Sequence, residues 1–170
     1  MVLFQEALRL KSLHRAGWLR KGISGPESVA AHSWGVAWLV VALLPKDMDR
    51  AKALTYAILH DLPECKVGDI TPEDGISAST KHELERHALK AMAHGAPWFE
   101  VWEAYERQAD PESRFVRELD RLDMAFQAVY YAREGYPGMA EFVQSAAQVV
   151  QHPVLRPLLE QCAQELQLAV

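Results

Sequence analysis

Apolar residues recur three and four positions apart along almost the whole chain, and no stretch alternates with period two for long enough to make a strand. The pattern predicts an all-α fold. A first helix fits Leu3 to about Ala16 and stops at "GWLRKGISGPES", where Gly17, Gly22, Gly25 and Pro26 break the periodicity. Ser28 suits the N-cap of a second helix that ends before Pro45. A third runs from near Asp49 to about Leu62, with Pro63 disturbing its last turn. After the loop "KVGDITPEDGIS", further helices fit Ser79 to His94, Pro97 to Gln108, Glu112 to Arg133, Gly138 to Val150 and Pro153 to Leu168. The longest unbroken apolar run, Val36 to Leu44, is far short of the ~18 residues of a membrane span and reads as the buried face of a core helix.

A chain of 170 residues can bury a sizeable core, and the expectation is one domain over residues 1–170. The formal charge of -5 gives no electrostatic reason to expect a nucleic-acid polymer or an anionic membrane as partner. Cys65 and Cys162 are too few for a disulfide framework, and no charged-then-apolar leader precedes the first helix, so a cytoplasmic protein is expected.

Candidate chemistry concentrates in "AILHDLPECKVGDITPED", Ala57 to Asp74. On a continuous helix His60 and Glu64 would be one turn apart, with Asp61 close enough to share that side. An imidazole and two carboxylates at the end of an apolar helix suit a divalent cation, which compensates the buried charge. An isolated His-Asp pair is more commonly a surface pair or a helix-end hydrogen bond. Two other apolar helices carry a similar polar residue: His32 in "ESVAAHSWGVAWLVV" and Asp120 in "FVRELDRLDMAFQAV". A lone histidine like His32 is more often a hydrogen-bonded core residue than a ligand. Asp120 and Asp123 are three apart, and either suits a solvated carboxylate paired with Arg117 or Arg121. Asp120 is the preferred ligand.

The order of a single His, an adjacent His-Asp and a distant Asp resembles the HD-domain metal-dependent phosphohydrolases, with His32, His60, Asp61 and Asp120 at the four metal-binding positions. Arg15 and Trp18 before the first His, and Glu64 and Asp69 after the His-Asp pair, narrow the resemblance to the HD-domain 5'-deoxynucleotidases, over Leu10 to about Ala132. The spacing "RAGW" is similar to the shorter subgroup, and the last two helices carry no matching motif. The resemblance implies a compact HD-domain bundle of about six to eight helices that hydrolyses 2'-deoxynucleoside 5'-monophosphates to deoxynucleoside and phosphate.

By the same resemblance, the four ligands hold one ion, manganese, cobalt or another such as magnesium, zinc, nickel or iron, with a second ion possible near Glu64 and Asp69. Glu64 then orients or deprotonates the attacking water. Asp69 protonates the leaving 5'-oxygen or engages the second ion; on its own, it reads equally well as the cap of the "DITP" turn. Arg15 grips the phosphate and Trp18 stacks on the base or covers the sugar. Without the resemblance, Arg15 is a cation near a helix C-terminus and Trp18 a loop aromatic on the core.

Other HD phosphohydrolase activities, on guanosine tetraphosphate or cyclic nucleotides, are the alternative; Cys65 stands after Glu64 where the tetraphosphate hydrolases typically carry Asp. A non-catalytic nucleotide-binding helical domain is the third reading, against which the full ligand set weighs. His14, His82, His87, His94 and His152 are expected to face solvent. Trp34 and Trp38, four apart, are expected in the core or an interface, and Trp98 and Trp102 repeat the spacing. The resemblance implies a homodimer.

Overall fold

The periodicity that predicts one helix from Leu3 to Ala16 is overruled by contacts with a distant stretch. In the computed structural model, which describes residues 2–169 and so leaves Met1 and Val170 outside the described residues, α1 (Val2–Ala7) tightens into a 3-10 turn over Leu8–Lys11. The chain then extends, because Val29 N donates to Leu13 O at 2.8 Å and Arg15 N to Glu27 O at 3.1 Å, forming an antiparallel bridge between His14 and Ser28. These backbone groups find partners outside any helix. Arg15 is left extended at the N-cap of the short α2 (Ala16–Arg20).

The Ser28 hydroxyl accepts from Ala31 N and starts α3 (Val29–Leu43), whose inner face buries Val29, His32, Val36, Leu39 and Val40. Its outer face is as apolar as its inner one. Trp34 and Trp38 are 71% and 55% exposed, so neither enters the core of this chain. Asp49 caps α4 (Arg50–Leu59), which stops short of the expected Leu62. Pro63 has no N–H to continue the ladder. The chain instead tightens, with Leu62 N bonding Leu59 O at 3.0 Å and Glu64 N bonding Asp61 O at 3.1 Å, and enters the separate turn α5 (Glu64–Val67).

The remaining helices are α6 (Ala78–Ala93), α7 (Trp98–Glu106), α8 (Pro111–Arg133), α9 (Ala140–Ala147) and α10 (Arg156–Glu165). α8 begins with an Asp110 cap and a proline in its first turn. It runs through the middle of the molecule, packed on α3, α4, α7, α9 and α10. Phe115, Val116, Leu119, Leu122, Ala125 and Ala128 are among its buried side chains in the main core. Each large one contributes about 1.5–3 kcal/mol by leaving water. A satellite cluster of Leu89, Ala93, Phe99 and Trp102 joins α6 to α7. The fold is all-α: the described residues form no named strand, and no described helix is long and apolar enough to cross a membrane.

Candidate active site

The site forms where α3 and the turn after α4 meet the middle of α8. His32 points inward from α3 and is fully buried; His60 and Asp61 follow the last turn of α4; Asp120 comes from α8. His32 Nε2 lies 3.1 Å from Asp120 Oδ1 and 3.7 Å from Asp61 Oδ2. His60 Nε2 lies 3.2 Å from Asp61 Oδ2 and 3.4 Å from His32 Nε2. Donor atoms held ~2.1 Å from one centre stand roughly 3.0–3.4 Å apart in octahedral or tetrahedral arrangements. His32, His60 and Asp61 form one close group suited to a single cation, and Asp120 reaches that group at His32.

The ring orientations agree. His60 Nδ1 bonds Ala57 O at 2.9 Å and His32 Nδ1 bonds Asp123 Oδ2 at 2.7 Å, so the hydrogens belong on Nδ1 and both Nε2 lone pairs face the centre. Two bare acceptors so close repel unless positive charge lies between them. Burial and the Arg15 guanidinium push the His32 pKa down, yet its hydrogen bonds to Asp120 and Asp123 outweigh both and lift it to about 10. Without a metal, a proton takes the place of the cation. Burial disfavours the Asp61 carboxylate, but His60, Arg15 and His32 hold it well below the usual range. Burial is likewise overcome at Asp120 by Arg121 and His32. This donor set attracts positive charge and fits a metal ion.

Asp123 was one of two candidates for the ligand on α8; it sits behind His32 and orients it. Its approach requires Gly35, because a Cβ there would lie 2.9 Å from Asp123 Cγ. Glu27, His32 and Asp123 form a second close group, but it uses His32 Nδ1, already bonded to Asp123, while Glu27 is engaged by Trp18.

Glu64, the first residue of α5, is 2% exposed, and its Oε2 has no hydrogen-bond partner among the described residues. Burial, then the charges of Asp61 and Asp69, raise its pKa well above the usual carboxylate value. An orphaned buried carboxylate oxygen beside the cluster calls for a cation or a bound water. Asp69 Oδ2 accepts from Ala16 N at 2.7 Å, tying its loop to the start of α2. The neighbouring 3-10 turn, Pro72–Asp74, is capped by Thr71 in a reciprocal box with Asp74. Arg15 Nη1 lies 3.3 Å from Asp61 Oδ2; burial alone would lower its pKa, but Asp61, Asp69 and Asp120 raise it instead.

These residues line a cavity of about 690 Å³, within the range of small-molecule sites. Arg15, Trp18, His60, Asp61, Glu64 and Asp69 border it, as does Asp120, while His32 lies behind. Trp18 is 2% exposed, its Nε1 donating to Glu27 Oε1 at 2.8 Å and its ring packed on Phe142 and Tyr131. It forms part of the wall with most of its ring covered.

The facing wall comes from α6, α7 and α8, and the sequence did not single it out. Lys81 lies 3.7 Å from Glu64 Oε1 and 3.4 Å from Glu85 Oε1. Burial, more than the Lys81 charge offsets, raises the Glu85 pKa to about 7. His82, expected in solvent, stacks on Trp102 and borders the cavity. His152 is half-buried and packs edge-on against Phe115, whereas His14 is exposed as expected, with its ring bonded to Pro26 O at 2.7 Å. Trp102 is fully buried and donates to His60 O at 3.1 Å. Arg117 and Arg121, weighed earlier only as partners of surface carboxylates, also face the cavity. Their polar spacing looks like any exposed helix face, so only the packing of α6 and α8 reveals their direction.

Residues 7–161 match the model of the HD domain family. The chain is 35% identical to the 5'-deoxynucleotidase HDDC2 of Bos taurus over 167 residues, covering 92% of this chain and 80% of the relative. It is 34% identical to the 5'-deoxynucleotidase HDDC2 of Danio rerio over 165 residues, covering 92% and 82%. Among solved structures, a conserved hypothetical protein from Pyrococcus furiosus superimposes with a TM-score of 0.81 at 33% identity, covering 95% of this chain and 98% of that one.

Proposed function

The chain belongs to the HD domain family, and we propose that it works as a single HD domain that hydrolyses 2'-deoxynucleoside 5'-monophosphates to deoxynucleoside and phosphate. The observation that carries the reading is the close group of His32, His60 and Asp61 at the cavity wall, with Asp120 3.1 Å from His32. Relatives named 5'-deoxynucleotidase, aligned over most of both chains, supply the substrate class.

In this reading His32, His60, Asp61 and Asp120 hold a divalent cation, manganese or cobalt in the first instance. When bound, it supplies Lewis-acid polarisation of the phosphoryl group and acidification of a water. Arg15 holds a phosphoryl oxygen through its guanidinium and orients the phosphorus for in-line attack. Glu64, with Oε2 free, accepts a proton from the attacking water as the new O–P bond forms. The P–O5' bond breaks, and Asp69 delivers a proton to the leaving 5'-oxygen. Asp69 is steadied for this by the Ala16 N–H. Glu64 and Asp69 are also the pair to which a second ion would be referred. Trp18 covers the sugar side.

We also propose a cytoplasmic homodimer that joins through the outer face of α3. Trp34, Trp38 and Val41 lie on one side of a helix that is apolar all round, a pattern that belongs in an interior or an interface.

The test is phosphate release from a panel of deoxy- and ribonucleoside 5'-monophosphates, with stripped protein resupplied in turn with manganese, cobalt, magnesium and zinc. Metal-dependent release favouring the deoxy substrates is expected. No release from any monophosphate would overturn the reading.

A further inference from the structure

Four cationic side chains border the cavity, and they differ in how their hydrogen-bonding groups are met. Arg15 pairs with Asp61 at 3.3 Å. Lys81 donates to Ile70 O at 3.0 Å and lies beside Glu85. Burial would lower the Arg117 pKa, but the neighbouring Tyr105, Asp120 and Glu106 raise it. Arg121 differs: its Nε is buried without a hydrogen-bond partner among the described residues, and Asp120 Oδ2, at 3.7 Å, is beyond hydrogen-bond reach.

A buried N–H without an acceptor is costly, and here it belongs to a side chain on the cavity wall, one residue from Asp120. The guanidinium offers paired parallel donors that match the oxygens of a phosphate dianion. Asp120 and Asp61 are both beside His32, so Arg121 and Arg15 approach the same centre from α8 and α2 respectively.

We propose that Arg121 is a phosphate-binding residue of this cavity, gripping the phosphoryl group of the substrate and the inorganic phosphate product from the α8 side. The naming of the substrate rests on the hydrolase reading above; binding of inorganic phosphate does not.

The experiment is calorimetric titration of inorganic phosphate into the cobalt-loaded protein, comparing the natural chain with Arg121→Met and Arg121→Lys, with bound cobalt per chain measured on each. Arg121→Met should weaken phosphate binding about 10- to 100-fold at unchanged cobalt content, the loss expected for a charged hydrogen-bond pair. Arg121→Lys should recover part of it, and it tests the point alone if the Met variant does not fold. Equal phosphate affinity in the natural chain and the folded variants, or no phosphate binding by the natural chain, would overturn the proposal. So would loss of cobalt from Arg121→Met, which would make the residue a screen for Asp120. If the natural chain hydrolyses no nucleotide yet its phosphate binding depends on Arg121, the hydrolase reading fails and this assignment stands.

Discussion

Gly35→Ala separates the stability of α3 from the quality of the site it supports. Glycine inside a helix costs about 1 kcal/mol relative to alanine, so helix propensity favours the substitution. The new Cβ, however, would lie 2.9 Å from Asp123 Cγ, and ordinary contact begins at 3.4 Å. The carboxyl group must therefore retreat by at least 3.4 − 2.9 = 0.5 Å. Taken along the His32 Nδ1 bond, that stretches 2.7 Å to 3.2 Å, the limit of a good N–H···O contact, and the nearer oxygen Oδ1 has further to move. Asp123 moves in preference to the helices because a carboxylate is the end of a flexible side chain. A charged hydrogen bond of this kind contributes about 1.5–3 kcal/mol. At about 1.36 kcal/mol per decade that is one to two decades, in line with the ~10- to 100-fold loss typical of removing a group that orients a metal-binding His. Cobalt titration by calorimetry should show that weakening, while circular dichroism of the metal-free protein keeps its helical signal and its melting temperature changes little or falls, because helix propensity offsets only part of the weakened bond. Cobalt affinity within twofold of the natural chain would refute the reasoning and leave Asp123 a bystander.

Glu64→Gln should keep full metal content but lower kcat by about 10²- to 10⁴-fold; unchanged turnover in the phosphate-release assay would return Glu64 to a purely structural role. Trp34→Glu combined with Trp38→Glu should convert the proposed dimer to a monomer in light scattering behind size exclusion, and a persistent dimer would move the interface off α3. Acid should weaken the start of α8: burial works against the Asp110 carboxylate, but Lys52, Tyr56 and Ser113 N–H hold its pKa at about 2 against an ordinary 3.8. Because the folded value is the lower one, its stabilisation is complete above 3.8 and is lost as pH falls through about 2. After solvent screening this amounts to about 1 kcal/mol, so melts from pH 5 to pH 2 should show Asp110→Asn losing less stability than the natural chain.

Much of the fold was legible because amphipathic periodicity depends on short-range geometry. α6, α7 and α8 begin and end close to where apolar spacing and capping residues put them. The helix expected from Leu3 to Ala16 failed because Leu13 and Arg15 bond to residues 27–29, a long-range competition that no local pattern displays. His60, Asp61 and Glu64 were expected on one helix; they lie across the tightened chain between α4 and α5. The chemistry of the site was visible as polar residues embedded in apolar helices. The facing wall was not, since Lys81, Glu85 and Arg121 look like solvated helix positions until their neighbours are known. Gly35 was the available clue to Asp123: a glycine inside an apolar helix, one turn after His32, usually marks a close approach.

The order in which the proposed ligands occur along the chain has a consequence for synthesis. His32, His60 and Asp61 emerge in the first part of translation, but Asp120, and Asp123 behind it, arrive only with α8. At roughly 5–20 residues per second, about 3–12 s separate Asp61 from Asp120. A nascent chain of that length offers an incomplete set that would hold an ion weakly or in the wrong geometry. The same helix also organises the main core, so the act that finishes the hydrophobic interior finishes the cage. On the proposed assignment, loading would therefore follow folding, with the ion meeting the completed pocket rather than the nascent chain.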